Sequence, residues 1–248
     1  MPDKEFADVA AVVMAAGRGV RMKSDLPKVV HEIKGKPLIC FVADTLKKLG
    51  IGKIVIIVGY KREIVIETLK DYDVEFAVQS EQLGTGHAVM MAEENLRDFR
   101  GDVLVLSGDV PLIQPGTIRN LIREHRDRQA VATVLTSEPP DPSGYGRVIR
   151  NMQGLVEKIV EHKDATEEER RVGEINTGTY VYQKEELYTA LKMIDNNNVQ
   201  GEYYLTDLMG IFLSQGKTTA ACLAEDYREG LGINSKQQLL ELIEAYNL

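Results

Sequence analysis

Short apolar runs alternate with helical patterns along the first 137 residues of this 248-residue chain. The runs are rich in valine, isoleucine and leucine, which indicates strands buried on both faces. Strands that alternate with helices predict a doubly wound, mostly parallel α/β sheet of the Rossmann-like type, with right-handed crossovers. The expected strands are residues 9–14, 53–60, 74–78, 102–109 and 130–136, and the expected helices are 38–49, 62–69, 86–96 and 115–128.

The pattern changes after Ser137, where the turn-rich segment "EPPDPSGYG" begins. Shorter β-like runs follow, and we expect them to form a small antiparallel substrate lobe. These runs are residues 147–149, 155–160 and 174–182, interrupted by the charged segment "DATEEERR". The remaining expected elements are helices at 184–193, 205–214 and 236–246 and a strand at 218–224. We predict a single domain, with a core at 1–137, a substrate lobe and returning core elements at 138–234, and a C-terminal helix at 235–248.

The composition excludes several classes of partner. The formal net charge is −8, and this acidic balance argues against nucleic acid, which usually requires a basic surface. Residues 2–5 are not those of a signal peptide, and no apolar run approaches the roughly 20 residues that span a bilayer. Cys40 and Cys222 form no metal or redox motif. We therefore expect a cytoplasmic protein without a membrane or nucleic-acid partner; the oligomeric state does not follow from the sequence.

The first expected strand runs into a loop, "AAGRGVRMKS", whose composition suits an anion. Gly17 and Gly19 carry no side chain, so backbone N–H groups can approach an anion there, and Arg21 and Lys28 can add positive charge. Two familiar phosphate-binding patterns, G-x-G-x-x-G and G-x-x-x-x-G-K-[ST], both require glycine at Met22 and therefore do not fit. The loop by itself is compatible with an anion site or with a solvated basic turn.

The loop resembles the signature of the sugar-nucleotidyltransferase family, in which "AAGxGxRM" is followed by a spacer and "PK". Later segments resemble, in order, the uridylyltransferase half of the bifunctional bacterial members that make UDP-N-acetylglucosamine. The resemblance covers nearly the whole chain, and the ordered series is more specific than the loop. The matching segments are "EQLGTGHA" (81–88), "GDVPL" (108–112), "DPSGYGR" (141–147), "VEHKDAT" (160–166), "EINTG" (174–178), "NNNVQGEYYLTD" (196–207) and "GINS" (232–235).

The resemblance implies the nucleotide-diphospho-sugar transferase fold and a set of site residues. Two residues depart from the family pattern: Val20 stands where threonine or serine is usual, and Met14 where leucine is usual. The implied catalytic residues are Arg21 and Lys28; the implied nucleotide-binding residues are Met14, Ala15, Ala16, Gly17, Gly19, Gln79, Gly84, Thr85, Ser107 and Gly108; the implied sugar-binding residues are Gly146, Glu161 and Asn176; and the implied Mg²⁺ ligands are Asp109 and Asn234.

Several of these residues have structural alternatives. Asp109 follows the fourth expected strand, at the open edge of the sheet, where a carboxylate beside a triphosphate suits Mg²⁺. It could instead serve a turn or helix cap, Asn234 could cap the last helix, and Thr85 could cap the third.

The amide of Gln79 could pair with a pyrimidine edge. Tyr145, Tyr203 and Tyr204 are candidates for the sugar-pocket wall, with core packing expected for at least one, and His87, His125 and His162 are interpreted as structural because no nucleophile pairs with them.

The resemblance implies transfer of a uridylyl group from UTP to N-acetylglucosamine-1-phosphate, giving UDP-N-acetylglucosamine and pyrophosphate with Mg²⁺ as cofactor. A sugar phosphate is already anionic at pH 7, so we expect catalysis by positioning and charge neutralisation rather than by a general base. Another sugar-1-phosphate or nucleotide, including CTP, and a non-catalytic regulatory domain of the same fold are the alternatives. The family's acetyltransferase half is a β-helix, and since no hexapeptide repeat follows in this sequence, acetyl transfer is not expected.

Overall fold

The computed structural model describes residues 5–246, except for the side chains of residues 242, 245 and 246. Eleven strands and eight α-helices are assigned in that part of the chain. The strands are β1 (Phe6–Ala15), β2 (Glu32–Ile33), β3 (Lys36–Pro37), β4 (Ile51–Val58), β5 (Glu75–Val78), β6 (Asp102–Ser107), β7 (Ala132–Ser137), β8 (Arg147–Arg150), β9 (Val156–Val160), β10 (Ile175–Gln183) and β11 (Thr219–Leu223). The helices are α1 (Leu38–Lys48), α2 (Arg62–Thr68), α3 (Thr85–Met90), α4 (Pro115–Asp127), α5 (Glu167–Arg170), α6 (Lys184–Leu191), α7 (Asp207–Ser214) and α8 (Lys236–Tyr246).

The central sheet has the strand order β11-β7-β10-β6-β1-β4-β5. β1 lies between β6 and β4 and is parallel to both, and β7 and β11 are parallel to each other. β10 runs against its neighbours β6 and β7. The predicted mostly parallel α/β sheet is therefore confirmed, with one antiparallel strand near its middle.

β10 corrects the sequence-based interpretation, which placed residues 174–182 in the substrate lobe. Tyr180, Val181 and Tyr182 are buried in the main sheet, and only the first residue of the strand, Ile175, pairs with β8. The lobe therefore consists of the β8–β9 hairpin, continued into the sheet through β10. An apolar run identifies a buried strand but not its direction or its neighbours, which is why the pattern alone misplaced this one.

Two helices also differ from the sequence-based prediction. The helix expected at 86–96 ends at Met90 and continues as successive turns to residue 98. The charged segment after residue 163 contains the short helix α5, which the sequence reading left out. Its start is fixed by a capping box, in which the Thr166 hydroxyl accepts from the Glu169 backbone N–H and the Glu169 carboxylate accepts from the Thr166 backbone N–H.

Both faces of the sheet are covered by helices, so alternate residues of β1 enter different cores. Ala10 and Val12 pack with side chains of α3, α6 and α7, whereas Val9, Ala11 and Val13 pack with side chains of α1, α2 and α4. Burial of an aliphatic side chain contributes about 1.5–3 kcal/mol, so these two layers hold β1 firmly in place. Within residues 5–246, no helix has both the length and the apolar character needed to cross a bilayer.

Candidate active site

The loops at the carboxyl ends of the parallel strands surround one cleft. Its two compartments have volumes of about 250 Å³ and 240 Å³ and share four lining residues, Met14, Lys28, Thr85 and Ser107. Because β10 runs antiparallel, it brings its first residues, rather than its last, to this same edge. Ligands in doubly wound sheets bind at the carboxyl ends of the strands, so the position of the cleft agrees with the fold.

Nearly all residues implied by the resemblance line this cleft. The larger compartment is lined by Met14, Arg21, Lys28, Thr85, Ser107, Asp109, Gly146, Glu161, Asn176 and Asn234, among others. The smaller compartment is lined by Met14, Ala15, Ala16, Gly17, Lys28, Gln79, Gly84, Thr85 and Ser107, among others. Gly19 and Gly108 line neither compartment, but each contacts a residue that does.

Gly19 and Gly108 support the lining rather than form it. Gly19 has φ +67°, and a Cβ there would lie 2.5 Å from Cβ of Lys28, so a larger residue would displace the lysine. The backbone N–H of Gly108 donates to the Met14 carbonyl over 2.9 Å, which joins the ends of β6 and β1. We infer that both glycines act by setting the backbone geometry around Lys28 and Met14.

The loop after β1 turns sharply at Met22. Gly19 begins a 3-10 turn, Val20–Met22, in which the Met22 N–H donates to the Gly19 carbonyl over 2.9 Å. The Met22 side chain is fully buried, whereas Val20 is 76% exposed and lies outside the cleft lining. Met22 therefore anchors the loop in the core. Val20, which stands where the family usually has threonine or serine, does not line the cleft, so the substitution removes no hydroxyl from its wall.

Lys28 lies between the two residues implied as metal ligands. Its Nζ forms an ion pair with Asp109 Oδ2 and donates to Asn234 Oδ1 over 3.1 Å. Arg21 Nη2 donates to the same Asn234 oxygen over 2.8 Å. Two oxygen ligands therefore already converge on a cation at the junction of the compartments.

The protein backbone brings these groups together. The Ile233 N–H donates to the Asp109 carbonyl over 3.0 Å, and a Cβ at Gly232 would lie only 3.0 Å from Asp109 Oδ1, so a larger residue there would have to displace the carboxylate. Asp109 is 3% exposed. It lies at the sheet edge as expected, but it is buried by this contact rather than open to solvent.

The last helix is not capped by Asn234. The Gln238 N–H donates to the Ser235 hydroxyl over 3.1 Å, and Gln238 Oε1 accepts from the Asn234 N–H over 2.8 Å. Asn234 Nδ2 donates to the Gly232 carbonyl over 3.0 Å, which turns its amide oxygen toward Arg21 and Lys28. The structural alternative for Asn234, a helix cap, is therefore wrong, because Ser235 fills that role.

The residues that the resemblance assigns to the sugar form a second polar group in the larger compartment. The Asn176 N–H donates to the Gly146 carbonyl over 2.9 Å, so β10 holds the loop that precedes β8. Burial raises the pKa of the Glu161 carboxyl, and the nearby Asp164 carboxylate acts in the same direction, whereas a hydrogen bond from the Thr206 hydroxyl opposes it. A partly desolvated carboxylate and an amide can bind the hydroxyl-rich face of a sugar.

The tyrosines that the sequence offered for the pocket wall have different roles, and one of the histidines is structural as predicted. Tyr145 lines the larger compartment, as expected for one of the three tyrosines. Tyr204 is 6% exposed and its hydroxyl donates to Asp164 Oδ2 over 3.2 Å, so it packs behind the site. His125 is buried against Thr133, at 2.9 Å from Nδ1 to Oγ1, which is the structural role predicted for it.

Arg147 is a supporting residue that sequence reasoning missed. Its guanidinium is 2% exposed and donates to the carbonyls of Tyr145 and Arg170, the latter over 3.4 Å. Burial lowers the pKa of this guanidinium, with the neighbouring Arg170 charge acting in the same direction. Arg147 thus ties the loop that carries Tyr145 and Gly146 to the end of α5. The signal was available in "GYGR", where the arginine directly follows the loop.

The smaller compartment ends at Gln79, which is 3% exposed. Gln79 Nε2 is 3.1 Å from the Gly84 carbonyl oxygen and 3.0 Å from Nδ1 of His87. Gly84 has φ +112°, and a Cβ there would lie 2.6 Å from the Tyr203 carbonyl oxygen. The glycine therefore permits the segment that carries Tyr203 to approach the loop that contacts the amide.

Residues 10–237 match the family model for nucleotidyl transferases. The chain belongs to the nucleotidyl transferase family. The resemblance inferred from the motifs is confirmed by this match.

Individual relatives of this chain within the family can also be named. The chain is 49% identical over 229 residues to the bifunctional protein GlmU of Streptococcus mutans serotype c, and 50% identical over 234 residues to the bifunctional protein GlmU of Clostridium beijerinckii. These alignments cover 92% and 94% of this chain, and 50% and 51% of the relatives. The chain therefore spans about half the length of the curated relatives it matches.

The fold has solved counterparts. A structure of UDP-glucose pyrophosphorylase complexed with UDP-glucose superimposes with a TM-score of 0.75 and covers 96% of this chain and 98% of its own, at 18% identity. At this identity the comparison shows a shared fold only.

Proposed function

We propose that this protein transfers a uridylyl group from UTP to N-acetylglucosamine-1-phosphate and releases pyrophosphate. The observation that carries the proposal is the cluster of Arg21, Lys28, Asp109 and Asn234 at the junction of two compartments. A reaction between two phosphates needs charge of this kind between two binding sites. The GlmU relatives, about 50% identical over this part of their length, support the choice among nucleotidyl transfer reactions.

The nucleophile needs no base in this reaction. The second pKa of a phosphate is about 6, so the sugar phosphate is largely dianionic at pH 7. The obstacle is repulsion between two polyanions that must meet in line. Lys28 and Arg21 reduce this repulsion by binding phosphate oxygens, and the walls of the cleft orient the two reactants.

The residues at the junction also fit a divalent cation. Asp109 supplies a carboxylate oxygen and Asn234 an amide oxygen, and both already face a cationic group. Mg²⁺ prefers hard oxygen ligands and usually keeps several waters or phosphate oxygens, so two protein ligands are sufficient. When bound, the metal ion would neutralise charge on the reacting phosphates.

The sugar and the base are assigned to opposite ends of the cleft. Glu161, Asn176 and Gly146 are proposed to bind the N-acetylhexosamine, and Gln79 with the Gly84 backbone is proposed to bind the pyrimidine. The partners in this proposal are small molecules, in agreement with the net charge of −8. The proposed location is the cytoplasm, where nucleoside triphosphates are made and used.

The direct test is pyrophosphate release across a grid of nucleotides and sugar phosphates. UTP, dTTP, CTP and ATP would each be paired with the 1-phosphates of N-acetylglucosamine, N-acetylgalactosamine and glucose. We expect the highest kcat/KM for UTP with N-acetylglucosamine-1-phosphate. Faster turnover of dTTP with glucose-1-phosphate would contradict the proposal, and saturable binding without release from any pair would indicate a regulatory domain instead.

A further inference from the structure

Gln79, at the end of the smaller compartment, is held by its backbone and by two contacts of its side-chain amide. Its backbone N–H donates to the Val58 carbonyl over 2.8 Å, which fixes the end of β5 against β4. Its side-chain nitrogen is within hydrogen-bond distance of the Gly84 carbonyl and of His87 Nδ1. The backbone around Gly84 is itself fixed, because the Tyr203 N–H donates to the Leu83 carbonyl over 2.8 Å.

These partners determine which way the amide faces. A backbone carbonyl can only accept, so the nitrogen of Gln79, and not its oxygen, must face Gly84. The amide nitrogen has two N–H groups, and the second one points to His87. The imidazole nitrogen Nδ1 must then be the acceptor, which assigns the His87 proton to Nε2.

One polar atom of this side chain is left for a ligand. Among the residues that the structure describes, none donates a hydrogen bond to Gln79 Oε1. Gln79 lines the compartment, so it presents an acceptor and no donor to a molecule bound there. The ring N3 of uracil carries a hydrogen that this acceptor can receive. The N3 of cytosine carries a lone pair, which an acceptor in the same place repels.

We propose that His87 is a positioning residue for base recognition, which holds the second N–H of Gln79 and thereby selects a base with a hydrogen at N3 over cytosine. The inference rests on the proposed function only in assigning the pyrimidine to this compartment. It replaces the structural role that the sequence suggested for His87.

Gly84 alone would not give this selection. With the Gly84 contact alone, the side chain could turn about that hydrogen bond and present its second N–H, instead of its oxygen, to the lone pair of cytosine. His87 prevents this rotation, because its Nδ1 accepts the second N–H. Its own position is set by α3 and by the Tyr203 ring, whose centroid lies 6.5 Å from the imidazole centroid.

The matched pair His87→Leu and His87→Asn tests the inference. Asparagine carries an oxygen near the position of Nδ1, whereas leucine has nearly the same shape and no acceptor. Affinities for UTP, CTP and 5-methyl-UTP would be measured by calorimetry without a sugar phosphate, so that base recognition is separated from transfer. A hydrogen bond of ordinary strength predicts that His87→Leu lowers the UTP:CTP affinity ratio about tenfold, and that His87→Asn keeps it within about threefold of the wild type.

A second ligand serves as an internal control. 5-Methyl-UTP also has a hydrogen at N3, so the UTP:5-methyl-UTP ratio should be the same in all three proteins. An unchanged UTP:CTP ratio in His87→Leu, or an equal fall in His87→Asn, would overturn the role of His87 and leave the proposed function standing. Selective binding of UTP without any uridylyl transfer would contradict the proposed function and leave this inference intact. If the leucine variant does not fold, His87→Ala gives the same comparison.

Discussion

At the scale of single residues, Lys28 occupies the position that two implied metal ligands converge on. Its ammonium satisfies a carboxylate that is 3% exposed, and a buried carboxylate without a partner would be costly. Lys28 therefore contacts the same oxygens of Asp109 and Asn234 that a metal ion would bind. Phosphates of a bound nucleotide would give the lysine other partners and make these two ligands available.

This competition yields a prediction for metal binding. In Lys28→Met, we expect Mn²⁺ to bind the nucleotide-free protein about tenfold or more tightly than in the wild type, because the ammonium no longer repels it or occupies Asp109. Turnover should nevertheless fall on the order of 10²-fold, since a group that stabilises phosphate charge is lost. Paramagnetic resonance of free Mn²⁺ measures the first effect independently of activity. Asp109→Asn in the same background should abolish the gain, and equal Mn²⁺ affinities for Lys28→Met and wild type would show that Lys28 does not compete.

At the scale of secondary-structure elements, the β8–β9 hairpin connects the proposed sugar side of the cleft to α5 through Arg147. This arginine touches backbone carbonyls rather than the cleft itself. Its effect on substrate binding should therefore be indirect, through the position of the loop at Tyr145 and Gly146.

We expect Arg147→Met to raise the KM for the sugar phosphate about tenfold, because the carbonyls of Tyr145 and Arg170 lose their donor and the loop is released. The KM for UTP should stay near the wild-type value. Arg150 offers a matched control on the same strand, since it pairs with Glu174 at the edge of the hairpin and lines neither compartment. Steady-state kinetics with each substrate varied in turn decide the matter. Equal increases in both KM values, or the same effect from Arg150→Met, would mean that the hairpin is only destabilised.

The elements that the sequence predicted well share one property, a strong local pattern. Helices were expected at 38–49 and 115–128, and Leu38–Lys48 and Pro115–Asp127 are found. The position of β10 was not predictable in this way, because pairing depends on which neighbour is available in three dimensions. The helix α5 was predictable in principle, since Thr166 and Glu169 have the spacing of a capping box.

At the scale of the whole molecule, the cleft is assembled from groups far apart in the chain. Lys28 and Asn234 are 206 positions apart and meet because α8 follows a loop that folds back onto the ends of β1 and β6. No local pattern reveals such a contact, and only the family resemblance brought these residues together beforehand. The contacts between Lys28 and Asp109 and between Gln79 and His87 were missed for a different reason, because hydrogen-bond partners are decided by distances of a few tenths of an ångström.

The proposed reaction is attack of a sugar-phosphate oxygen on the α-phosphorus of UTP. In this proposal a nucleotide would lie at one end of the cleft and a sugar phosphate at the other, and the cations between them would hold the phosphate oxygens where the new bond forms. The bond that would break joins the α- and β-phosphates of UTP, and the leaving group would be pyrophosphate.

Isotope tracing tests this claim most directly. N-Acetylglucosamine-1-phosphate labelled with oxygen-18 in its three non-bridging phosphate oxygens would be converted with unlabelled UTP, and the products followed by phosphorus NMR. We expect all of the label in UDP-N-acetylglucosamine, with one labelled oxygen in the bridge between its two phosphorus atoms, and none in pyrophosphate. Label in pyrophosphate or orthophosphate, or an unlabelled bridge, would contradict direct attack of the sugar phosphate on the α-phosphate.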